Sequence, residues 1–242
     1  MTKFIPEIFF IAVIAVYSLV VTKYIPKKYY SFSNLVIATG AICYGLIIGL
    51  SREELGLTMA LLQKGIVVGV CLSLPLLIVI LLLASHKKLR AHFSETPKKN
   101  YNLRAFSYEL FFRIPFGTAL SEEIIFRSVL LAILLTNHAQ SVTIVAASIL
   151  FGLWHIFPTL HTVKNHDPLI EMMDDTRKRN LVAVLGSVIA TTIAGGIFSY
   201  IALKTSSFIT SWFVHATING FATLGGYLSL WYDNHQKRLK LS

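Results

Sequence analysis

Long apolar runs recur along the whole chain and constrain its fold more than any other feature. Seven of them approach or reach the roughly 20 residues that a helix needs to cross the hydrocarbon core of a membrane. The chain is 55% hydrophobic and only 14% charged, whereas soluble domains carry about 25% charged residues. The sequence therefore predicts an all-α, polytopic membrane helix bundle with about seven transmembrane helices in a single integral membrane domain, 1–242. The predicted spans are Ile5–Val21, Asn34–Leu50, Gly65–Ala84, Thr118–Leu135, Val142–Phe157, Leu181–Leu203 and Phe208–Trp231.

A further helix is predicted between the third and fourth spans, lying in the membrane interface. In the stretch "YNLRAFSYELFFRIPFG", aromatic and leucine residues alternate with Arg104, Glu109 and Arg113. This amphipathic pattern is typical of interfacial helices. Pro115 and Gly117 follow, and we expect them to end the helix just before the fourth span, since proline interrupts a helical interior.

The basic residues of the chain are distributed as in a membrane protein. The formal net charge is +10. If the spans alternate from an outside N-terminus, sixteen Lys and Arg residues fall on the inner side and four on the outer side (Lys3, Arg52, Lys64 and Lys204). The positive-inside rule then predicts an integral membrane protein with its N-terminus outside and its C-terminus in the cytosol. The short loops and compact chain indicate a bacterial plasma membrane. The protein's basic loops would face anionic lipid, so nucleic acid is not a predicted partner.

The fourth span holds three charges that a membrane helix normally excludes. In "FGTALSEEIIFRSVLLAILLT", Glu122, Glu123 and Arg127 lie within six residues, and each charge at a helix centre costs about 2.5–3.5 kcal/mol. Glu123 and Arg127 are four residues apart with the acid first, which predicts an ion pair. Glu122 points about 100° away around the helix and has no partner in its own span. Intramembrane charges of this kind mark functional sites.

Two other spans carry polar side chains at a similar depth. The stretch "SILFGLWHIF" places His155 four residues after Phe151, and "SWFVHATINGF" places His215 and Asn219 four residues apart, on one helix face. With a rise of about 1.5 Å per residue, Glu122 and these three polar side chains fall in one layer between the membrane centre and the cytosol. The sequence thus predicts a polar pocket inside the bundle.

Side chains of these types suit hydrolysis by either of two routes. A glutamate and a histidine can hold and deprotonate a water molecule, while His215 and Asn219 can donate hydrogen bonds to the oxyanion that forms when water attacks a carbonyl. Alternatively, Glu122, His155 and His215 form a ligand set suited to Zn²⁺ or another divalent metal with an open coordination position. The residues alone leave the metal-free and the metal-dependent routes open.

Motifs of other intramembrane proteases are absent from the sequence. There is no HExxH zinc motif, and no aspartate lies within a predicted span, which excludes an aspartyl dyad. There is also no GxSG or GxSxG turn to present a nucleophilic serine. Among the intramembrane protease mechanisms considered, the one based on glutamate and histidine side chains remains.

Three short motifs occur in a characteristic order. "EEIIFR" (Glu122 to Arg127) matches EExxxR, "FGLWH" (Phe151 to His155) matches FxxxH, and "HATIN" (His215 to Asn219) matches HxxxN/D. Three such motifs on three membrane helices resemble the CPBP family, which comprises the CAAX proteases and bacteriocin-processing enzymes and is also called the Abi family. The resemblance covers about Pro115 to Gly220, the CPBP-like catalytic core.

This resemblance implies an intramembrane endopeptidase whose site opens toward the cytosol. Its partners would be a peptide or lipidated protein substrate, such as a prenylated CAAX protein or a bacteriocin peptide, within the lipid bilayer. By motif match, Glu122 and His155 would activate water, and His215 and Asn219 would stabilise the oxyanion. The supporting residues would be Glu123, Arg127 and Phe151. The family name implies a metalloprotease, whereas a metal-free glutamate mechanism has also been argued for related enzymes.

Two other kinds of protein fit parts of the pattern. A non-enzymatic bacteriocin-immunity or regulatory membrane protein would keep the same fold and use the polar residues for structure alone. A proton-coupled transporter would relay protons through intramembrane Glu and His residues. Such a transporter is expected to show repeated halves with broken helices in matching positions, and the sequence shows neither. An intramembrane protease is the function that the sequence favours.

Overall fold

The computed structural model describes residues 2–86, 103–165 and 175–239, and these residues form helices without any β-strand. The predicted all-α membrane bundle is confirmed. Besides two short 3₁₀ turns at Thr2–Phe4 and Lys27–Tyr29, the described chain forms eight helices. They are α1 (Ile5–Tyr24), α2 (Tyr30–Ile47), α3 (Met59–Ser85), α4 (103–135), α5 (Gln140–Trp154), α6 (Ile156–Asn165), α7 (Thr176–Thr205) and α8 (Phe208–Leu239).

Five stretches within the described ranges are long and apolar enough to cross a membrane. They coincide with the first, second, third, fifth and sixth predicted spans. The remaining two predicted spans lie within α4 and α8, the helices that carry most of the polar residues of the predicted site. The five stretches are Ile5–Tyr24, Lys27–Ile47, Met59–Leu83, Gln140–Val163 and Thr176–Thr205.

Helix α4 is the centre of the bundle. From Ser121 to Leu134 every residue except Ile124 is buried, whereas α3 and α7 present many large apolar side chains on the outer surface. An outer surface of this composition is stable in lipid, because lipid tails are as apolar as the side chains that they contact. The arrangement therefore places the charged turn of α4 away from lipid, inside a ring of apolar helices.

The expected break at Pro115 and Gly117 is wrong. Helix α4 continues from 103 to 135 without interruption, and Glu109–Leu120 and Ile124–Leu130 adopt π-helical turns on either side of an α-helical turn at Ser121–Glu123. These wider turns carry the chain past the proline ring, and the carbonyl oxygen of Pro115 accepts a hydrogen bond from Trp212 Nε1 at 2.6 Å. The predicted interfacial helix and the fourth span are thus one helix over the described residues.

Two glycines let other helices approach the site closely. A Cβ atom on Gly152 of α5 would lie 2.8 Å from the carbonyl oxygen of Val188 in α7. A Cβ atom on Gly117 of α4 would collide with Ser31 of α2. Small residues at such contacts are the usual means of close helix packing in membranes. They bring α2 against α4, which carries the first motif, and α7 against α5, which carries the second.

The contacts between helix ends fit a chain whose helices cross the membrane in alternating directions. Near the start of α1, Glu7 accepts hydrogen bonds from Asn137 and His138, which follow the end of α4. The segment between α2 and α3 turns back into the bundle, where the fully buried Leu55 accepts a hydrogen bond from Ser128 Oγ at 2.6 Å. Gly56 of the same segment lies against the turn between α7 and α8.

Candidate active site

Glu123 is the most completely bonded polar side chain of α4. It is fully buried, and its Oε1 atom lies 3.2 Å from Arg127 Nη1 and 2.8 Å from His215 Nδ1. Its Oε2 atom accepts a hydrogen bond from Ser211 Oγ at 2.6 Å. Both carboxylate oxygens therefore have partners, one from the same helix and two from α8. The ion pair predicted from the i,i+4 spacing is present, and it is part of a larger network.

Arg127 is enclosed by aromatic rings as well as by its ion pair. Its guanidinium lies 4.1 Å from the centre of the Phe151 ring and 5.3 Å from that of Phe198. Its Nη2 atom donates a hydrogen bond to the carbonyl oxygen of Gly195 at 3.3 Å. Cation–π contacts are stronger where water is excluded. Phe151, the first residue of the second motif, thus helps to hold the cation that pairs with Glu123.

The bonds to His215 define its orientation and its tautomer. A carboxylate accepts hydrogen bonds and does not donate them, so Nδ1 of His215 carries the proton that bonds Glu123. The other ring nitrogen, Nε2, lies 2.9 Å from Asn219 Nδ2 and accepts from that amide. The ring also stacks on Phe198, with centroids 4.7 Å apart. His215 and Asn219 share one helix face, as their spacing predicts.

Glu122 lies beside this network but is bonded differently. It is buried, and its Oε1 atom accepts a hydrogen bond from Trp154 Nε1 at 3.3 Å. Its Oε2 atom lies 3.7 Å from His215 Nε2, which is too far for a direct hydrogen bond. Among the described residues this oxygen has no hydrogen-bond partner. Oε2 of Glu122 is therefore a buried oxygen that can still accept a hydrogen bond, and it faces the imidazole of His215.

His155 follows the last residue of α5, where the chain turns into α6. Its Nδ1 atom donates a hydrogen bond to the carbonyl oxygen of Phe151 at 2.8 Å, which leaves Nε2 as the nitrogen with a free lone pair. The ring packs edge-on against Phe151 at 4.7 Å, and His215 contacts the same ring at 5.9 Å. Within the described residues, no hydrogen bond or ion pair joins His155 to Glu122.

Residues 105–221 match the family model described as Type II CAAX prenyl endopeptidase Rce1-like. This region carries all three motifs. It is an Rce1-like domain of the CPBP family. At the level of the family, this match supports a CAAX-type intramembrane endopeptidase. Comparisons with curated proteins and with solved structures give no significant match.

The family match extends further toward the N-terminus than the resembling segment. The sequence assigned the resemblance to about Pro115 to Gly220, and the match begins ten residues earlier, at 105–221. The additional residues, 105–114, lie in the N-terminal part of α4, which the sequence had assigned to a separate interfacial helix. Helices α1 to α3 lie outside the Rce1-like domain.

Within this domain, the structure brings together five of the seven predicted site residues. Glu122, Glu123, Arg127, His215 and Asn219 are joined by contacts of 2.8 to 3.7 Å. Phe151 and His155 border this group, linked to it by aromatic contacts.

Three side chains of the site were missed by the sequence. Trp154 donates to Glu122, Ser211 donates to Glu123, and Phe198 packs on both His215 and Arg127. Trp154 precedes the motif histidine directly, and Ser211 lies one turn before His215 on the same helix. Their positions beside motif residues are a signal that could have identified these two. Phe198 carries no such signal, because it approaches from α7 through tertiary packing.

The predicted metal ligands do not form a ligand set in this arrangement. Of the three, Glu122 and His215 face each other, but His155 has no polar contact with either of them. Nδ1 of His215 is bonded to Glu123, and its Nε2 is bonded to Asn219. Across the described ranges, no group of three or more His, Cys, Asp or Glu side chains has metal-site geometry. The residues as arranged do not fit a three-ligand metal site.

Proposed function

We propose that this chain hydrolyses peptide bonds of membrane-associated substrates, with Glu122 as the general base that activates water. The observation that carries this proposal is the buried Glu122 carboxylate, whose Oε2 atom has an open acceptor position 3.7 Å from His215 Nε2. A catalytic base must reach the proton that it removes through a hydrogen bond or one water molecule. A water molecule bound at Oε2 of Glu122 meets this condition.

His155 supplies the second acceptor for the attacking water. Because its Nδ1–H bonds the Phe151 carbonyl, its Nε2 atom can accept one hydrogen of a water whose other hydrogen bonds Glu122. Such a water directs a lone pair toward the scissile carbonyl. Glu122 takes a proton as the new carbon–oxygen bond forms, and it returns that proton to the leaving amine as the carbon–nitrogen bond breaks.

The oxyanion of the tetrahedral intermediate is stabilised by His215 and Asn219. The amide Nδ2 of Asn219 is a donor in every protonation state, whereas Nε2 of His215 donates only in the imidazolium form. Glu123 bonds Nδ1 of the same ring at 2.8 Å and so fixes the orientation of Nε2 beside Asn219. Donors fixed in a water-excluded site are worth more to a transition state than the same donors in water.

The substrate class follows from the family and from the location of the site. A family described by prenyl endopeptidase activity supports a lipidated CAAX-type protein or a membrane-bound peptide such as a bacteriocin. We further propose that the site opens toward the cytosol, with the N-terminus outside. The basic inner loops and the alternating contacts at the helix ends support this orientation.

Product analysis tests the proposed reaction. The full chain in lipid nanodiscs is incubated in H₂¹⁸O with a farnesylated peptide ending in a CAAX sequence, with its unfarnesylated form and with an apolar membrane peptide. We expect at least one substrate to be cut, and one ¹⁸O atom to appear in the new carboxyl terminus. Glu122→Gln is the control and should release no product.

Two results would contradict the proposal. One is product formation by Glu122→Gln at the rate of the unaltered chain. The other is a folded chain that cuts none of the three substrates and whose cellular effect survives both Glu122→Ala and His155→Ala. The latter would favour a non-enzymatic immunity or regulatory role.

A further inference from the structure

Glu122 depends on Trp154 for its one direct hydrogen bond among the residues that the structure describes. Trp154 Nε1 lies 3.3 Å from Glu122 Oε1, and both side chains are buried. The bond occupies one carboxylate oxygen and leaves the other directed toward His215. The indole N–H thus fixes which oxygen of Glu122 is available for water.

Trp154 is itself held by α1. Ser18 Oγ donates a hydrogen bond to the carbonyl oxygen of Trp154 at 2.9 Å, and the Tyr17 ring stacks on the indole with centroids 6.1 Å apart. Phe126 of α4 also packs edge-on against the indole at 5.6 Å. The indole plane is therefore fixed between two helices, one of which lies outside the Rce1-like domain.

Helices α1 and α2 together also hold the α4 backbone ahead of Glu122. The hydroxyl of Tyr17 donates to Asn34 Oδ1 of α2 at 2.8 Å, and Asn34 Nδ2 donates to the carbonyl oxygen of Gly117 at 2.8 Å. Asn34 is buried, so these bonds are not weakened by competing water. Gly117 lies five residues before Glu122 on α4. Ring stacking between Trp154 and Tyr17, followed by two hydrogen bonds, thus connects Trp154 through α1 and α2 to the part of α4 that precedes Glu122.

We propose that Trp154 is a positioning residue for the general base, and that α1 and α2 serve the site by holding Trp154 and α4 at a fixed separation. This inference rests on the proposed function. It gives the N-terminal helix pair a defined part in catalysis, although residues 5–47 lie outside the family match. If Trp154 served only to fill space between the helices, its ring would be needed for turnover but its N–H group would not.

The test removes the N–H group and keeps an aromatic ring. Turnover of a cleaved membrane peptide is measured in nanodiscs for Trp154→Phe, with Trp212→Phe as the matched control and Glu122→Gln measured alongside. Trp212 also loses one N–H donor, because its Nε1 bonds the carbonyl oxygen of Pro115. We expect kcat of Trp154→Phe to fall by about 10- to 100-fold, the effect of losing a hydrogen bond to a charged group. KM should stay within about twofold, and Trp212→Phe should keep the kcat of the unaltered chain.

The outcomes separate this inference from the proposed function. If Glu122→Gln is inactive while Trp154→Phe and Trp212→Phe have equal kcat, the positioning role is wrong and the proposed function stands. If Glu122→Gln is as active as the unaltered chain, the proposed function is wrong and the positioning role is lost with it. A fall in kcat confined to Trp154→Phe, at equal thermal stability of the two variants, supports the inference.

A second pair of variants decides the matter if Trp154→Phe does not fold. Ser18→Ala removes the hydroxyl that bonds the Trp154 carbonyl. Thr22→Ala, one turn further along α1, removes a hydroxyl that bonds only the backbone of its own helix. We expect kcat to fall by about 3- to 10-fold in Ser18→Ala and to stay unchanged in Thr22→Ala, since one neutral hydrogen bond is involved. Equal kcat in both variants would overturn the inference.

Discussion

The acidic turn of α4 carries two adjacent glutamates, one on each side of the helix, and their hydrogen bonding differs. On one side, Glu123 has both oxygens bonded, by Arg127, His215 and Ser211. On the other, Glu122 has a single neutral donor and an oxygen without a partner in the described structure. The two residues are adjacent in sequence and equally deep in the bundle. Their bonding, and not their position along the chain, distinguishes the structural carboxylate from the one that we propose as the general base.

The comparison also explains why a membrane helix retains three charges. A buried ion pair offsets its desolvation cost only when further hydrogen bonds satisfy the remaining polar atoms. On the Glu123 side both carboxylate oxygens have such partners, and the bond to Nδ1 fixes His215. On the Glu122 side one oxygen has no such partner among the described residues, and its unmet bonding capacity is what a bound water or substrate can use.

Loss of the buried cation should produce the largest change in stability. Arg127→Met leaves Glu123 as an unpaired buried charge, and we expect the free energy of unfolding to fall by about 3–5 kcal/mol. Arg113→Met is the control, because its ion pair with Glu109 has the same spacing but is partly exposed. That variant should lose about 1 kcal/mol or less. Equal losses in the two variants, measured by denaturant titration in detergent, would contradict the assigned difference between the pairs.

Removal of the amide donor should produce the largest change in turnover outside the carboxylates. Asn219→Ala deletes a donor to the oxyanion, so we expect kcat to fall by about 10²- to 10³-fold. Thr217→Ala on the same helix removes a hydroxyl that bonds only its own backbone and should keep normal turnover. A kcat of Asn219→Ala within threefold of the control would remove Asn219 from the site.

His155 should make a smaller contribution, because in the proposed mechanism it acts on the water together with Glu122. We expect His155→Ala to lower kcat by about 10- to 100-fold. His138→Ala changes another partly buried histidine, which bonds Glu7 near the start of α1, and should leave kcat unaltered. If the two histidine variants turn over substrate equally, the second acceptor for the water must be sought elsewhere.

The smallest effect is expected on the bonded side of the turn. Ser211→Ala removes one of three partners of Glu123, and we expect a loss of about 1.5 kcal/mol in unfolding free energy with turnover reduced only a few-fold. Ser199→Ala is the control, because its buried hydroxyl has no hydrogen-bond partner among the described residues. That change should be neutral or slightly stabilising. A Ser211→Ala variant as stable as Ser199→Ala would show that Glu123 does not need its third partner.

The sequence predicted what depends on neighbours along one helix. Apolar runs predicted the five candidate spans found in the described residues, because lipid excludes polar side chains from a helix surface. The i,i+4 spacing identified the Glu123–Arg127 pair and the shared face of His215 and Asn219. Each of these features involves residues within two turns, whose relative position is fixed by helix geometry alone.

Features that depend on packing between helices could not be predicted from the sequence in this way. Nothing along α4 indicates that Glu123, rather than Glu122, bonds His215, because that choice is made by the rotation of α4 against α8. Trp154 reaches Glu122 across a helix interface, and its own supports come from α1. The continuous path of α4 past Pro115 depends on π turns that the residue pattern did not predict.

The most direct test of the account is a matched measurement on the two carboxylates. Turnover and thermal unfolding are measured in nanodiscs for Glu122→Gln and Glu123→Gln, which remove one charge each from adjacent positions with nearly the same side-chain volume. We expect Glu122→Gln to lose about 10²- to 10⁴-fold in kcat at the unfolding temperature of the unaltered chain, and Glu123→Gln to lose both turnover and stability. A Glu122→Gln variant that keeps kcat within threefold of the unaltered chain would contradict the account.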